Sequence, residues 1–136
     1  MKSSLLLTIT GILAGVTAQN QETPLDFVEI LQEAYDNKLS DIQVQGEGVV
    51  TRLLSDDLEG DRHQRFILRV REKQTVLIAH NIDIAARFPN LNINDTVEFY
   101  GEYEWNVEGG VVHWTHHDPD GYHLDGWIKY SGNTYQ

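Results

Sequence analysis

Histidines and acids are concentrated in one short segment near the end of the chain. Four of the six histidines fall between residues 113 and 123; Asp118 and Asp120 lie among them and Asp125 follows. Neutral imidazole is a good ligand for zinc, copper, nickel or iron, carboxylates complete such sites, and imidazole also transfers protons near neutral pH. The segment therefore predicts a site for a divalent metal ion or an acid–base centre. Its candidate metal ligands are His113, His116, His117 and Asp118.

The spacing of these histidines leaves the chemistry open. His113 and His117 are four residues apart, which is too far along an extended strand for one ion unless the chain turns back near Thr115. The segment also lacks the helical zinc pattern His-Glu-x-x-His. Three interpretations therefore stand: a His–Asp metal site, a catalytic histidine that acts with Arg65 or a carboxylate on a phosphate-like anion, and structural histidines that hold a C-terminal extension by hydrogen bonds.

A second polar group follows from the alternation of residues 63–71 and 75–81. A turn centred on Glu72-Lys73 predicts Arg65 opposite His80 on an outer strand face, with Leu77 and Ala79 in the core. In OB barrels the outer face of the second and third strands is the usual ligand surface, while an ordinary solvated face is the alternative. The candidate catalytic residues are His63, Arg65, His80 and His113, and the candidate binding residues are Arg65, Arg69, Glu104, Thr115 and His116.

The last hairpin predicts where His113 points. A turn centred on Glu108-Gly109 pairs Glu104 with His113 and Glu102 with Thr115 on the polar face, and Tyr103 with Trp114 in the core. A shift of the pairing by two residues keeps these faces, whereas a shift by one would bury His113. We therefore expect His113 to face outward and Trp114 to pack inside.

The periodicity of the chain predicts one amphipathic helix followed by five strands. Apolar residues recur at helical spacing in residues 24–38, and Thr23 and Pro24 suit the start of that helix. Alternation then predicts strands at 42–54, 63–71, 75–81, 96–105 and 111–116, with a short helical turn within 82–90. This order predicts a mainly β fold, a small five-stranded OB-like Greek-key barrel with a C-terminal extension. An open β-sandwich or another small barrel is the alternative.

The composition excludes several classes of function. The chain has 136 residues, with 10 basic and 21 acidic side chains and no cysteine. Without cysteine there is no disulfide framework, thiol catalysis or cysteine-type zinc site. The formal charge of −11 argues against a general nucleic-acid coat or a polybasic membrane binder, since both need a positive surface. Five basic residues nevertheless fall within residues 62–73, so a small anionic ligand is compatible with that strand.

The first eighteen residues have the pattern of a secretory signal peptide. Met1-Lys2 is a short positive region, Leu5 to Val16 is mostly apolar, and Val16-Thr17-Ala18 suits cleavage after Ala18. An uncleaved membrane anchor is the alternative, but the apolar run is shorter than the ~20 residues that span a bilayer.

We therefore expect a periplasmic or secreted bacterial protein with no membrane contact after cleavage. Its predicted parts are the signal peptide 1–18, a polar leader and helix 19–41, and an OB-like barrel domain with its extension, 42–136.

Several longer motifs resemble those of a known family. They are the sequences at residues 63–66 (HQRF), 78–81 (IAHN), 101–106 (GEYEWN), 113–119 (HWTHHDP) and 126–128 (GWI). Together they resemble a small exported bacterial family catalogued as domain of unknown function 3465, which has a His-Trp-Thr-His signature. The resemblance covers about Val44 to Tyr135 and implies that the signature residues here are His113 to His116. It assigns them no role.

Three functions are compatible with these observations. The first is an exported OB-like domain that binds a small anionic ligand or a divalent metal ion through a His/Arg polar face. The second is a metal-assisted or histidine-dependent hydrolase of phosphodiesters, in which Arg65 would stabilise developing negative charge. The third is a structural or interaction protein whose histidines hold the C-terminal extension. Convergence of His63, Arg65, His80 and His113 in one pocket would favour the first two.

Overall fold

The structure, a computed structural model that describes residues 24–136, consists of one helix and seven strands. Helix α1 spans Pro24–Asp36. The strands are β1 (Ile42–Leu53), β2 (His63–Arg71), β3 (Gln74–Asn81), β4 (Thr96–Glu104), β5 (Val111–His113), β6 (Trp127–Tyr130) and β7 (Asn133–Tyr135). Within these residues no helix is long and apolar enough to cross a membrane. The predicted signal peptide, residues 1–18, and the leader up to residue 23 lie outside the described residues.

Five of the strands close into a barrel. The strand order is β1-β2-β3-β5-β4, and β4 pairs back onto β1. Only the contact between β3 and β5 is parallel within this ring. This order is that of an OB-like Greek-key barrel, which confirms the predicted fold class. The C-terminal extension adds the hairpin β6–β7 outside the ring, where β6 pairs with β4.

The barrel interior is filled by the apolar residues that alternate along the strands. Phe66, Leu68, Ile78, Val97 and Phe99 are all fully buried. Helix α1 adds Leu31 and Ala34 to the same cluster. At Gly46 an added Cβ would lie 3.0 Å from Leu31 Cδ1 and 3.0 Å from Phe99 Cζ, so a glycine there lets the helix approach β1 closely.

The predicted register of the β2–β3 hairpin is wrong by one residue. Arg65 pairs with Ala79, and His80 pairs with Gln64 on the inner face. The cause is an irregularity between Arg69 and Arg71, where β2 contains one residue more than β3. Because side chains alternate, this slip reverses the faces of β3. His80 is therefore completely buried, whereas Leu77 and Ala79 face outward.

Among the other elements, the fifth strand differs from the prediction because of edge pairing. The fifth strand ends at His113 instead of residue 116, since β5 and β6 share one edge of β4: β5 pairs with Glu102–Glu104 and β6 with Glu98–Tyr100. The segment 82–90 opens with a single helical turn, in which Ala85 N donates to Asn81 O, in agreement with the predicted short helical turn. The bounds of β2 agree with the prediction.

The connection between β3 and β4 is held inside by one glutamine. Gln64 Nε2 donates to Phe88 O at 3.0 Å, and Phe88 N donates to Gln64 Oε1 at 3.1 Å. Phe88 is fully buried, and its ring packs against those of Phe66, Tyr130 and Tyr135. The pair of hydrogen bonds therefore joins the second strand, the connection and the C-terminal hairpin.

Replacing Gln64 with Ala is expected to lower the free energy of unfolding by about 2–6 kcal/mol. The substitution leaves both backbone groups of Phe88 buried without a partner, at about 1–3 kcal/mol each. Urea denaturation measures the loss. The control is Gln45→Ala, because the Gln45 side chain makes no hydrogen bond within residues 24–136. Equal losses in the two variants would contradict this account of the connection.

Candidate functional site

Three neighbouring strands place polar side chains side by side on the outside of the barrel. Because Val97, Phe99 and Tyr103 of β4 point inward, Glu102 and Glu104 point outward. The register sets Glu102 opposite Gln43 of β1 and opposite His113 of β5. Residues directly opposite in an antiparallel pair share a face. His113 therefore faces outward, as predicted, beside two carboxylates.

Glu102, Glu104 and His113 form a group with the dimensions of a metal site. Each offers one ligand atom, and these atoms lie within 4.8 Å of one another. His113 Nε2 lies 3.6 Å from Glu102 Oε2 and 3.6 Å from Glu104 Oε1. This atom is buried and has no hydrogen-bond partner among the described residues. Two ligand atoms of one tetrahedral ion lie roughly 3.4 Å apart, so the separations fit a shared cation.

Further charged groups surround this group of three. Asp41 lies beside Glu104, and the interaction between these two carboxyl groups raises the pKa of Asp41. His123 Nε2 is hydrogen-bonded to Glu102 Oε1. Burial lowers the pKa of His123, but the bond to Glu102 and the nearby charges outweigh it, so the pKa lies above its usual value. Histidine–carboxylate bonds of this kind orient metal-binding carboxylates.

The loop that carries His123 is folded around Asp118. Asp118 Oδ1 accepts from Asp120 N, and its Oδ2 accepts from the backbone nitrogens of Tyr122 and His123 at 2.7 Å. These bonds, that from Asp120 first, hold the pKa of Asp118 below its usual value. Asp118 N in turn donates to Asp125 Oδ1. Both carboxylate oxygens of Asp118 are thus committed to the loop.

The chain matches one family model over most of its length. Residues 16–136 match a family described as "Protein of unknown function (DUF3465)". The chain belongs to this family. The resemblance found in the motifs is thereby confirmed, and the description names no activity or ligand for DUF3465. No curated protein matches the chain significantly.

The DUF3465 signature segment does not gather the predicted metal ligands. His116 Nδ1 is hydrogen-bonded to His117 O, and His117 Nδ1 pairs with Asp125 Oδ2 at 2.9 Å. Within residues 24–136 only His113 of the predicted set belongs to a metal-sized group. The reason is that β5 ends at His113 and Trp114 takes a positive φ of 57°, which turns the chain away. Trp114 is half-buried and its ring stacks with those of His116 and His123, so the prediction that it packs in the core is wrong.

The other predicted site residues lie elsewhere on the barrel. His63 Nδ1 contacts Asp61 O, and the guanidinium of Arg65 donates twice to Ser55 O. The side chain of Arg69 is exposed and makes no ion pair or hydrogen bond within the part of the chain that is described. Strand β2 is separated from β5 by β3, so these side chains do not meet His113. Their predicted catalytic and binding roles stay predictions.

His80 and Thr115 form a buried hydrogen bond beneath the signature segment. His80 Nδ1 lies 2.8 Å from Thr115 Oγ1, and His80 Nε2 lies 3.2 Å from Ala86 O. A carbonyl can only accept, so Nε2 carries the proton and Nδ1 accepts from the threonine hydroxyl. Burial lowers the pKa of His80 to about 4. The neutral imidazole therefore joins β3, the 82–90 connection and the signature segment of DUF3465.

The free energy of unfolding is expected to decrease as the pH is lowered, because His80 is buried in its neutral form. The histidine of an unfolded chain titrates near pH 6.5, so above that pH neutral His80 makes its full contribution to the free energy of unfolding. This contribution is lost progressively as the pH falls towards about 4, the pKa of His80 in the folded protein. The loss amounts to about 3 kcal/mol. Urea denaturation from pH 7.5 to pH 4 measures it in the wild type and in His80→Gln.

The His80→Gln variant is expected to lose this part of the pH dependence, whereas the exposed-site control His117→Gln keeps it. Titration of the His80 ring by NMR in the wild-type protein gives a second test that needs no variant. An imidazole that protonates near pH 6.5 in the folded state would contradict the assignment.

The sequence did not single out three residues of this site. Asp41, Gln43 and His123 carry no motif, and Glu102 was predicted opposite Thr115. The observed register differs from the predicted one by two residues, which keeps the faces but changes the partners. The outward parity of Glu102 was the signal that could have found it.

Proposed function

We propose that this chain binds a divalent transition-metal ion on the outer face of its barrel, through Glu102, Glu104 and His113. The observation that carries the proposal is His113 Nε2, a buried ring nitrogen with no hydrogen-bond partner in residues 24–136 and two carboxylates at 3.6 Å. Buried polar atoms are normally paired, so an unpaired one between two carboxylates suits a cation.

The donor set favours a borderline ion over calcium or magnesium. Imidazole suits zinc, iron, copper or nickel, while carboxylates also accept manganese. Three protein ligands leave coordination positions for water, as in sites that bind a further ligand on the metal. A cation would also offset the repulsion among Asp41, Glu102 and Glu104, which stand close together on one face.

The remaining histidines support a structural role as a second function of the signature segment. His80, His116, His117 and His123 all hydrogen-bond to groups that hold the loop 114–126 or its base. The hydrolase hypothesis gains no such support, since His63, Arg65, His80 and His113 do not share a pocket. Export and a small anionic ligand remain parts of the proposal that rest on the sequence.

Titration with Zn²⁺ tests the metal proposal. The chelator-treated wild-type chain is expected to bind one ion, and His113→Ala or Glu104→Gln is expected to weaken binding by about 100-fold, since even outer hydrogen-bond partners of metal ligands contribute 10–100-fold. Calorimetry measures the affinity. At a free concentration of about 100 times its dissociation constant, the ion should raise the free energy of unfolding by about 2.7 kcal/mol. Thermal unfolding detects this stabilisation, and adding a chelator should reverse it.

The matched controls are Glu98→Gln and His63→Ala, which remove the same chemical groups outside the site. Glu98 lies on the same strand and face but opposite Glu47 and Lys129. Both controls are expected to bind the ion as the wild type does. A wild-type chain that binds no ion, or equal affinities in site variants and controls, would rule out this site.

A further inference from the structure

Three buried side-chain nitrogens have no hydrogen-bond partner among the described residues, and two of them belong to residues that stand opposite one glutamate. Among the described residues they are Gln43 Nε2, His113 Nε2 and Trp114 Nε1. Gln43 and His113 both stand opposite Glu102. The ring of Trp114 stacks at 4.0 Å on His123, which is hydrogen-bonded to Glu102. Unpaired buried groups are few in native proteins, so two in residues that face the same glutamate call for a common cause.

The proposed ligand set includes His113 but not Gln43 or Trp114. Of these two, only Gln43 has a side-chain atom that can bind a cation. The indole of Trp114 only donates, whereas an amide presents either its nitrogen or its oxygen in the same direction after a half-turn of its last side-chain bond. Glu102 stands directly opposite Gln43, and Asp41, which immediately precedes β1, lies beside Glu104. A cation among these carboxylates would draw the amide oxygen towards it.

We propose that Gln43 is a fourth protein ligand, through its amide oxygen, and that the site is built for a six-coordinate ion of the Mn²⁺ type. This inference rests on the proposed function. Gln43, Glu102 and Glu104 supply three oxygens and His113 supplies one nitrogen, and water fills the remaining positions. Oxygen-rich sets suit Mn²⁺ and its octahedral geometry, whereas tetrahedral Zn²⁺ is satisfied by the two carboxylates, the imidazole and one water.

The position of Gln43 supports a role in binding over a role in folding. Its side chain makes no hydrogen bond within residues 24–136, although its amide nitrogen is buried. A buried amide without a partner costs stability. An apolar replacement should therefore leave the fold intact, which separates a ligand from a structural residue.

Parallel titrations of the chain with Mn²⁺ and Zn²⁺ test the inference. Gln43→Leu is expected to weaken Mn²⁺ binding by about 10-fold or more, the scale of a lost supporting group at a metal site, and to change Zn²⁺ binding far less. Gln43→Glu keeps an oxygen ligand and should bind Mn²⁺ at least as tightly as the wild type. The control Gln45→Leu, on the same strand and face but opposite Tyr100, should change neither affinity.

Thermal unfolding without metal completes the test. Gln43→Leu is expected to melt at the wild-type temperature or above it. Mn²⁺ binding by Gln43→Leu at wild-type strength, or equal weakening in Gln43→Leu and Gln45→Leu, would overturn the role of Gln43. Equal weakening for Mn²⁺ and Zn²⁺ would overturn the preference for a six-coordinate ion. A wild-type chain that binds neither ion would overturn the proposed function itself, which is a distinct result.

Discussion

The structure depends on how the chain leaves the edge of β4 at Trp114. β5 occupies Glu102–Glu104 of that edge, and β6 occupies Glu98–Tyr100, so the chain must turn out between them. Trp114 makes the turn with a φ of 57°, at a cost of roughly 1–2 kcal/mol for a residue with a side chain. At Gly126, where the chain returns, a Cβ would collide with the carbonyl oxygens of Trp114 and Tyr100.

This turn determines both the buried and the exposed chemistry of the segment. On the inner side Thr115 reaches His80, and this buried hydrogen bond holds the turn against the barrel. On the outer side His113 remains beside Glu102, and the loop returns so that His123 bonds to the same carboxylate. The signature segment therefore contributes to both sides of the barrel wall. Its first histidine faces the candidate metal site outside, and its threonine is buried on the inner side.

Much of the barrel could be predicted from alternation alone, because each strand has one apolar face. The bounds of β2, the outward direction of His113 and the Greek-key order all follow from this pattern. The face on which His80 lies could not be predicted in this way. An extra residue near Val70 shifts the pairing by one, so every side chain of β3 points to the face opposite the predicted one. A bulge of this kind leaves no mark in a single sequence.

The candidate site could be predicted only in part, because its residues come together through strand pairing. Proximity along the chain suggested His113 with His116, His117 and Asp118, but the residues that meet are neighbours across strands. Glu104 and His113 were found from parity, and Glu102 has the same outward parity but was predicted opposite Thr115 instead of His113. The fold of the loop commits Asp118 to backbone groups away from the site. His116 and Asp118 hydrogen-bond to backbone groups of the loop, and such contacts have no periodicity from which they could be predicted.

The position of a bound ion tests this account most directly. In crystals grown from the chelator-treated protein and soaked with Zn²⁺, anomalous diffraction should show one strong peak about 2.0–2.2 Å from His113 Nε2 and from oxygens of Glu102 and Glu104. A peak between His117 and Asp125, or among the acids of residues 55–61, with none at His113, would contradict it.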